Sequence, residues 1–173
     1  VTISLLPDFL VRFVGMIITR CVYRIKVHGL ENVPTQGGVL LVSNHVSWVD
    51  AVLLGAASRR RIRFIMDKSF YNRPLLKTFC KLMKVIPISS SDGPKELLKS
   101  LKNARNAMDE GYIVCIFAEG AITRTGMMMR FRSGFKRILK GTDYKILPVY
   151  IGGVWGSVFS YYSGKILASV PKH

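Results

Sequence analysis

Short, largely apolar runs that take turns with stretches of helical periodicity leave this chain few folds to choose from. Val39–Ser43, 62–66, 85–88, Ile113–Phe117 and 146–150 each hold four or five residues with almost no polar interruption. A strand that is apolar at every position needs cover on both faces, which is the condition of a parallel sheet between helices. Between these runs the spacing changes. Residues 92–109 carry Leu97, Leu101, Ala104 and Met108 on one helical face, with Pro94 in the first turn and Gly111 just past the end. Residues 48–57 read as a helix with Ser47 and Asp50 in capping-box spacing. Residues 74–84 read as a basic helix with Leu75, Leu76, Phe79 and Met83 inward. The pattern predicts an α/β domain over 25–173, a mostly parallel sheet flanked by helices.

Residues 1–24 stand apart. On a helix opened by Pro7, the positions Ser4, Asp8, Arg12, Gly15 and Thr19 form one narrow stripe, and apolar residues such as Leu10, Phe13, Val14, Ile17, Cys21 and Val22 fill nearly everything else. Charges interrupt the run too often for a spanning helix or a secretory signal. A helix apolar over so wide an arc either packs in a core or lies in a bilayer interface, and an amphipathic interfacial helix is the expectation.

The 173 residues carry a net charge of +16, which demands an anionic partner: nucleic acid, an anionic bilayer or an acidic protein. Nucleic acid is disfavoured because most aromatics lie in apolar runs rather than among the cations. Cys21, Cys80 and Cys115 are far apart and lack metal spacing with His28, His45 or His173. They read as reduced core thiols, and no metal or bound cofactor is implied.

Two strand ends hold the candidate chemistry. His45 leaves the first strand in Asn44-His45-Val46-Ser47-Trp48-Val49-Asp50, placing an imidazole at the mouth of the sheet with a carboxylate five residues on. Such a carboxylate can hold the tautomer of the base and stabilise its protonated form. Glu119 leaves a later strand in Phe117-Ala118-Glu119-Gly120, at a tight turn. Spacing alone leaves open that Asp50 is a helix cap and Glu119 a surface turn residue. No serine or cysteine sits at a strand-to-helix elbow, and no glycine-rich phosphate loop occurs.

Taken in order, Asn44-His45-x-x-x-x-Asp50, Phe117-x-Glu119-Gly120 and Leu147-Pro148-Val149 resemble the glycerolipid acyltransferases, a family that includes the lysophosphatidic acid acyltransferases. The resemblance runs from Tyr23 to Pro171. It is nearest to the bacterial 2-acylglycerophosphoethanolamine acyltransferase domain found in fusions with an acyl-carrier-protein synthetase; as a piece of such a fusion this chain would be expected to begin without Met and to stop abruptly. The resemblance implies His45 as general base, Asp50 as its orienting acid, and Asn44, Glu119, Gly120, Thr123 and Arg124 at the acceptor. It also implies an acyl-ACP or acyl-CoA co-substrate, a lysophospholipid acceptor, and a place on the cytoplasmic face of the inner membrane.

Two departures bear on the acceptor. Where relatives of this kind carry an arginine after the second-motif strand, the chain reads Ile88-Ser89-Ser90. Where they read Phe-Pro-Glu-Gly-Thr-Arg, it has Ala118, Ala121 and Ile122. A phosphomonoester favours such cations more than a phosphodiester does, so a headgroup-bearing acceptor such as lysophosphatidylethanolamine is expected, with lysophosphatidic acid the alternative and a catalytically degenerate binding module the rival. Oxyanion donors are expected among the backbone amides at the start of the Trp48 helix. Arg59, Arg60, Arg61 and Arg63, and separately Arg130, Arg132, Lys136, Arg137 and Lys140, are expected to face lipid headgroups or an acidic acyl carrier protein.

Overall fold

A computed structural model describes residues 5–89 and 92–164. Ser4, Ser90 and His173 of the sequence reading lie outside them, as do the side chains of Asp8, Arg12 and Leu75.

Five strands, β1 (Val39–Ser43), β2 (Ile62–Asp67), β3 (Ile86–Ile88), β4 (Ile113–Phe117) and β5 (Lys145–Val149), form one sheet in the order β3-β2-β4-β1-β5. Every pairing is parallel. The helices are α1 (Leu5–Val22), α2 (Asp50–Ala57), α3 (Lys68–Tyr71), α4 (Pro74–Leu82), α5 (Pro94–Asp109) and α6 (Phe135–Leu139).

Burial explains the apolar runs. On β1, Val39 and Leu41 pack towards Leu53 and Leu54 of α2, while Leu40 and Val42 pack beneath Leu101, Ala104 and Met108 of α5 and Ile138 of α6. Alternate side chains thus enter two separate cores, so positions 39–42 leave no place for a polar residue, and Ser43 at the strand's end is the polar one. β5 differs. As an edge strand it leaves Ile146 exposed, and Tyr150, expected in the strand, lies beyond it and is largely in solvent.

One expectation about helix faces is corrected: Phe79 of α4 is exposed rather than inward. On α1, Thr19 is buried and Gly15 approaches Val52 of α2, a Cβ on Gly15 falling 3.6 Å from Val52 Cγ1. Small residues let two helices approach closely, so part of the narrow stripe is the packing face. Leu10, Phe13, Val14, Ile17 and Cys21 are exposed, and Cys21 is therefore no core thiol. Cys80 and Cys115 are buried as expected, and burial pushes both thiols up from their ordinary range. No helix among the described residues is long and apolar enough to cross a membrane.

Two arginines expected at the surface are spent on the fold. Arg60 donates to the carbonyls of Pro34, Gly37 and Gly111, tying the segment that enters β1 to the one that enters β4. Arg63 is 4% exposed, lies over the Tyr112 ring and donates to the Met83 carbonyl. Arg59 is exposed and Arg61 partly so, so the run does not form one cationic face.

A Cβ on Gly38, at the entry to β1, would lie 2.4 Å from the Met108 carbonyl oxygen. That oxygen belongs to the last turn of α5 and has no room to move. Gly38→Ala should therefore destabilise the domain by about 1–3 kcal/mol, read as a lower urea midpoint at unchanged slope. An unchanged midpoint would show that β1 and α5 do not approach this closely.

Candidate active site

β1 and β4 are neighbours, and Ser43 pairs in register with Phe117. Sequence-distant loops leaving their carboxyl ends are thereby brought side by side, at the edge of the sheet where α/β folds place their chemistry. His45 leaves one strand and Glu119 the other.

The His45 imidazole stacks on the Phe117 ring, centroids 4.0 Å apart, and remains about one-fifth exposed. Its Nδ1 lies 2.8 Å from Asp50 Oδ2. Asp50 is fully buried, and the same Oδ2 accepts the amides of Val46 at 2.6 Å and Ser47 at 2.9 Å, while Oδ1 accepts the Ser47 hydroxyl at 2.6 Å. α2 begins at Asp50, not at Trp48. The Asp50 side chain reaches back to the Ser47 amide as in a capping box, but the serine hydroxyl donates to the carboxylate instead of accepting from the helix. A buried carboxylate with four donors is fixed in place, and it holds Nδ1 as the protonated nitrogen. Nε2 is left as the basic one.

The remaining candidates gather here. Asn44 donates from Nδ2 to the Ile151 carbonyl at 2.9 Å and accepts the Ile151 amide on Oδ1 at 2.7 Å, which locks β1 to the segment after β5. Glu119 is 3% exposed; Oε1 accepts the His45 amide and Oε2 the Met129 amide, each at 2.8 Å. Thr123 is buried, donates its hydroxyl to the Met127 carbonyl at 2.7 Å and its amide to the His45 carbonyl at 2.9 Å. These three side chains, expected at the acceptor, also hold the backbone around the site, each through a hydrogen bond to a main-chain group. Glu119 and Thr123 between them clamp the peptide groups on either side of His45. Gly120 and Arg124 are exposed, Arg124 with its guanidinium 4.3 Å above the Tyr161 ring.

The expected oxyanion donors are corrected as well. The Val46 and Ser47 amides go to Asp50, and the Trp48 amide donates to the Phe159 carbonyl at 3.2 Å. Arg130, Arg132, Lys136, Arg137 and Lys140 are exposed. Lys136, Arg137 and Lys140 rim an apolar cleft floored by Phe135, Leu139 and Ile146. A smaller recess beside the strand ends is lined by Glu119, Met127, Tyr150 and Trp155 among others. Trp155, which the sequence reading passed over, leaves no room for a side chain on Gly126: a Cβ there would lie 2.6 Å from the indole. The signal was present in Thr125-Gly126, a turn glycine with positive φ.

A family model described as Acyltransferase matches residues 24–152. The chloroplastic 1-acyl-sn-glycerol-3-phosphate acyltransferase LPAT1 of Arabidopsis thaliana is 26% identical over 132 residues, covering 76% of this chain and 36% of that protein. The 1-acyl-sn-glycerol-3-phosphate acyltransferase of Bacillus subtilis is 27% identical over 153 residues, 86% of this chain and 74% of that protein. This chain thus spans little more than a third of the plant relative. The crystal structure of the 1-acyl-sn-glycerophosphate acyltransferase PlsC from Thermotoga maritima superposes with a TM-score of 0.70 over 94% of this chain and 69% of that one, at 19% identity. The fold is shared.

Proposed function

The chain belongs to the Acyltransferase family, and we propose that it moves a fatty acyl group from an acyl thioester to the free glycerol hydroxyl of a lysophospholipid, with His45 as the general base. The observation that carries this reading is the contact of His45 Nδ1 with the buried Asp50 carboxylate at 2.8 Å, on an imidazole that is otherwise reachable. Nε2 takes the hydroxyl proton as the glycerol oxygen attacks the thioester carbonyl. The tetrahedral intermediate collapses with loss of the thiolate, which recovers that proton from the imidazolium; an ester and a free thiol result. Asp50 stabilises the imidazolium throughout. An acyl-enzyme is not required, since the hydroxyl itself is the nucleophile.

The relatives named above support lysophosphatidic acid as the acceptor, because both carry the name 1-acyl-sn-glycerol-3-phosphate acyltransferase. A second reading, lysophosphatidylethanolamine, is favoured by a specific observation: Ile122 and the buried Ser89 stand where arginines are expected. Competition between the two acceptors at fixed lipid surface concentration, followed by thiol release, tests both. Lysophosphatidic acid should be consumed first. A preference of about tenfold or more for lysophosphatidylethanolamine, the worth of one charge-assisted bond to phosphate, would reverse the order. No thiol release with either would overturn acyl transfer.

The exposed apolar face of α1 and the net charge of +16 support a peripheral position on an anionic bilayer with α1 in the interface. The cations around the Phe135–Ile146 cleft suit an acidic acyl carrier protein as donor equally with coenzyme A. Burying an apolar side chain in the interface contributes about 1.5–3 kcal/mol, so Leu10→Glu with Ile17→Glu should lower liposome partition by roughly tenfold or more while leaving the melting temperature nearly unchanged. Unaltered flotation would remove α1 from the interface.

A further inference from the structure

The segment after the Glu119-Gly120 turn doubles back upon it. The Met129 amide reaches Glu119 Oε2, and the Arg132 amide donates to the Ala118 carbonyl at 2.8 Å, so residues 129–132 lie against the exit of β4. Arg132 is thereby laid across Gly120: a Cβ on that glycine would fall 2.9 Å from Arg132 Nε, 3.0 Å from Cδ and 3.2 Å from Cζ. Gly120 has φ +73°, so the turn needs glycine for its backbone and is also open to the arginine above it.

The turn beneath Arg132 is the one that grips His45, through the Glu119 carboxylate on one side and the Thr123 amide on the other. Of the cations near it, Arg124 is drawn onto the Tyr161 ring. The Arg132 guanidinium is exposed and makes no hydrogen bond, ion pair or ring contact among the described residues. An unpaired guanidinium fork above the turn that holds His45 is suited to a phosphate oxyanion, which it can bind through two parallel hydrogen bonds.

We infer that Arg132 receives the phosphate of the acceptor lipid above Gly120, in place of the cations missing at Ser89 and Ile122. The inference rests on the acyl-transfer reading. It accounts for a phosphate-bearing acceptor in a chain whose motif lacks the arginine, and it takes Arg132 out of the general membrane-facing surface where its sequence neighbours place it.

The test compares the unmodified chain with Arg132→Gln and Arg132→Lys, measuring KM and kcat for lysophosphatidic acid, KM for the acyl thioester, and competitive inhibition by inorganic phosphate. Arg132→Gln should raise the acceptor KM by about tenfold or more, with a smaller change in kcat, an unchanged donor KM and weaker inhibition by phosphate. Arg132→Lys should recover part of the loss, because a point charge replaces the fork. The same series with lysophosphatidylethanolamine should show a smaller effect, as its phosphodiester carries one charge. A rise in donor KM with the acceptor KM unmoved would assign Arg132 to a phosphate of the donor and overturn the inference, as would unchanged kinetics in a folded variant. If the unmodified chain transfers no acyl group, the acyl-transfer reading itself fails and the inference with it.

Discussion

His45→Ala should lower acyl transfer by about 10²–10⁴-fold, the usual range for a general base, with little loss of stability. The imidazole is one-fifth exposed and its main packing is the stack on Phe117, worth about 0.5–1.5 kcal/mol. Removing it does not orphan Asp50, which keeps the Val46 and Ser47 amides and the Ser47 hydroxyl. The loop therefore has no reason to rearrange, and the loss should fall on kcat. Single-turnover thiol release, alongside a thermal melt, separates the two quantities. Activity within a few-fold of the unmodified chain would eliminate His45 as the base, whatever the family resemblance.

Which parts of this arrangement could be read from the sequence follows from physical range. The central strands β1 and β4 were legible because both of their faces are covered, so Val39–Ser43 and Ile113–Phe117 are apolar at nearly every position. The His45–Asp50 contact was legible because it spans five residues and a single turn. The clamp of Glu119 on His45 was not, since it crosses 74 residues and depends on β4 inserting between β2 and β1. The backbone work of the polar residues was hidden as well: loops leaving buried strands need their own amides and carbonyls satisfied, and the side chains of Asn44, Glu119 and Thr123 at the strand ends do this. The arginine run misled: Arg60 has a long reach and five donors, which suit it to gathering three loop carbonyls. On α1, apolar residues were expected either to pack or to meet lipid, while the packing fell in part to Gly15 and Thr19, because close helix approach selects small side chains.

Asp50 should separate chemistry from architecture more sharply than any other position. Asp50→Ala strands the buried amides of Val46 and Ser47 and the Ser47 hydroxyl along with His45 Nδ1. An unsatisfied buried donor costs about 1–3 kcal/mol, so the two amides alone predict a loss of about 2 kcal/mol or more. Asp50→Asn is different. With its amide oxygen in the place of Oδ2, asparagine can still accept from His45 Nδ1 and both backbone amides, and its NH₂ can donate to the Ser47 hydroxyl, which turns to accept. The opposite orientation sets an NH₂ group against two N–H donors and is excluded. Fold and tautomer are therefore retained in Asp50→Asn, and what disappears is the negative charge that stabilises the imidazolium. The expected result is a stability loss well below that of the alanine variant, joined to a fall in kcat of about 10²-fold or more. Urea unfolding and acyl-transfer kinetics on the two variants decide the matter. Equal destabilisation by Ala and Asn would mean that the carboxylate charge, and not its acceptor geometry, holds the loop; full activity in Asp50→Asn would mean that the imidazolium needs no counter-ion.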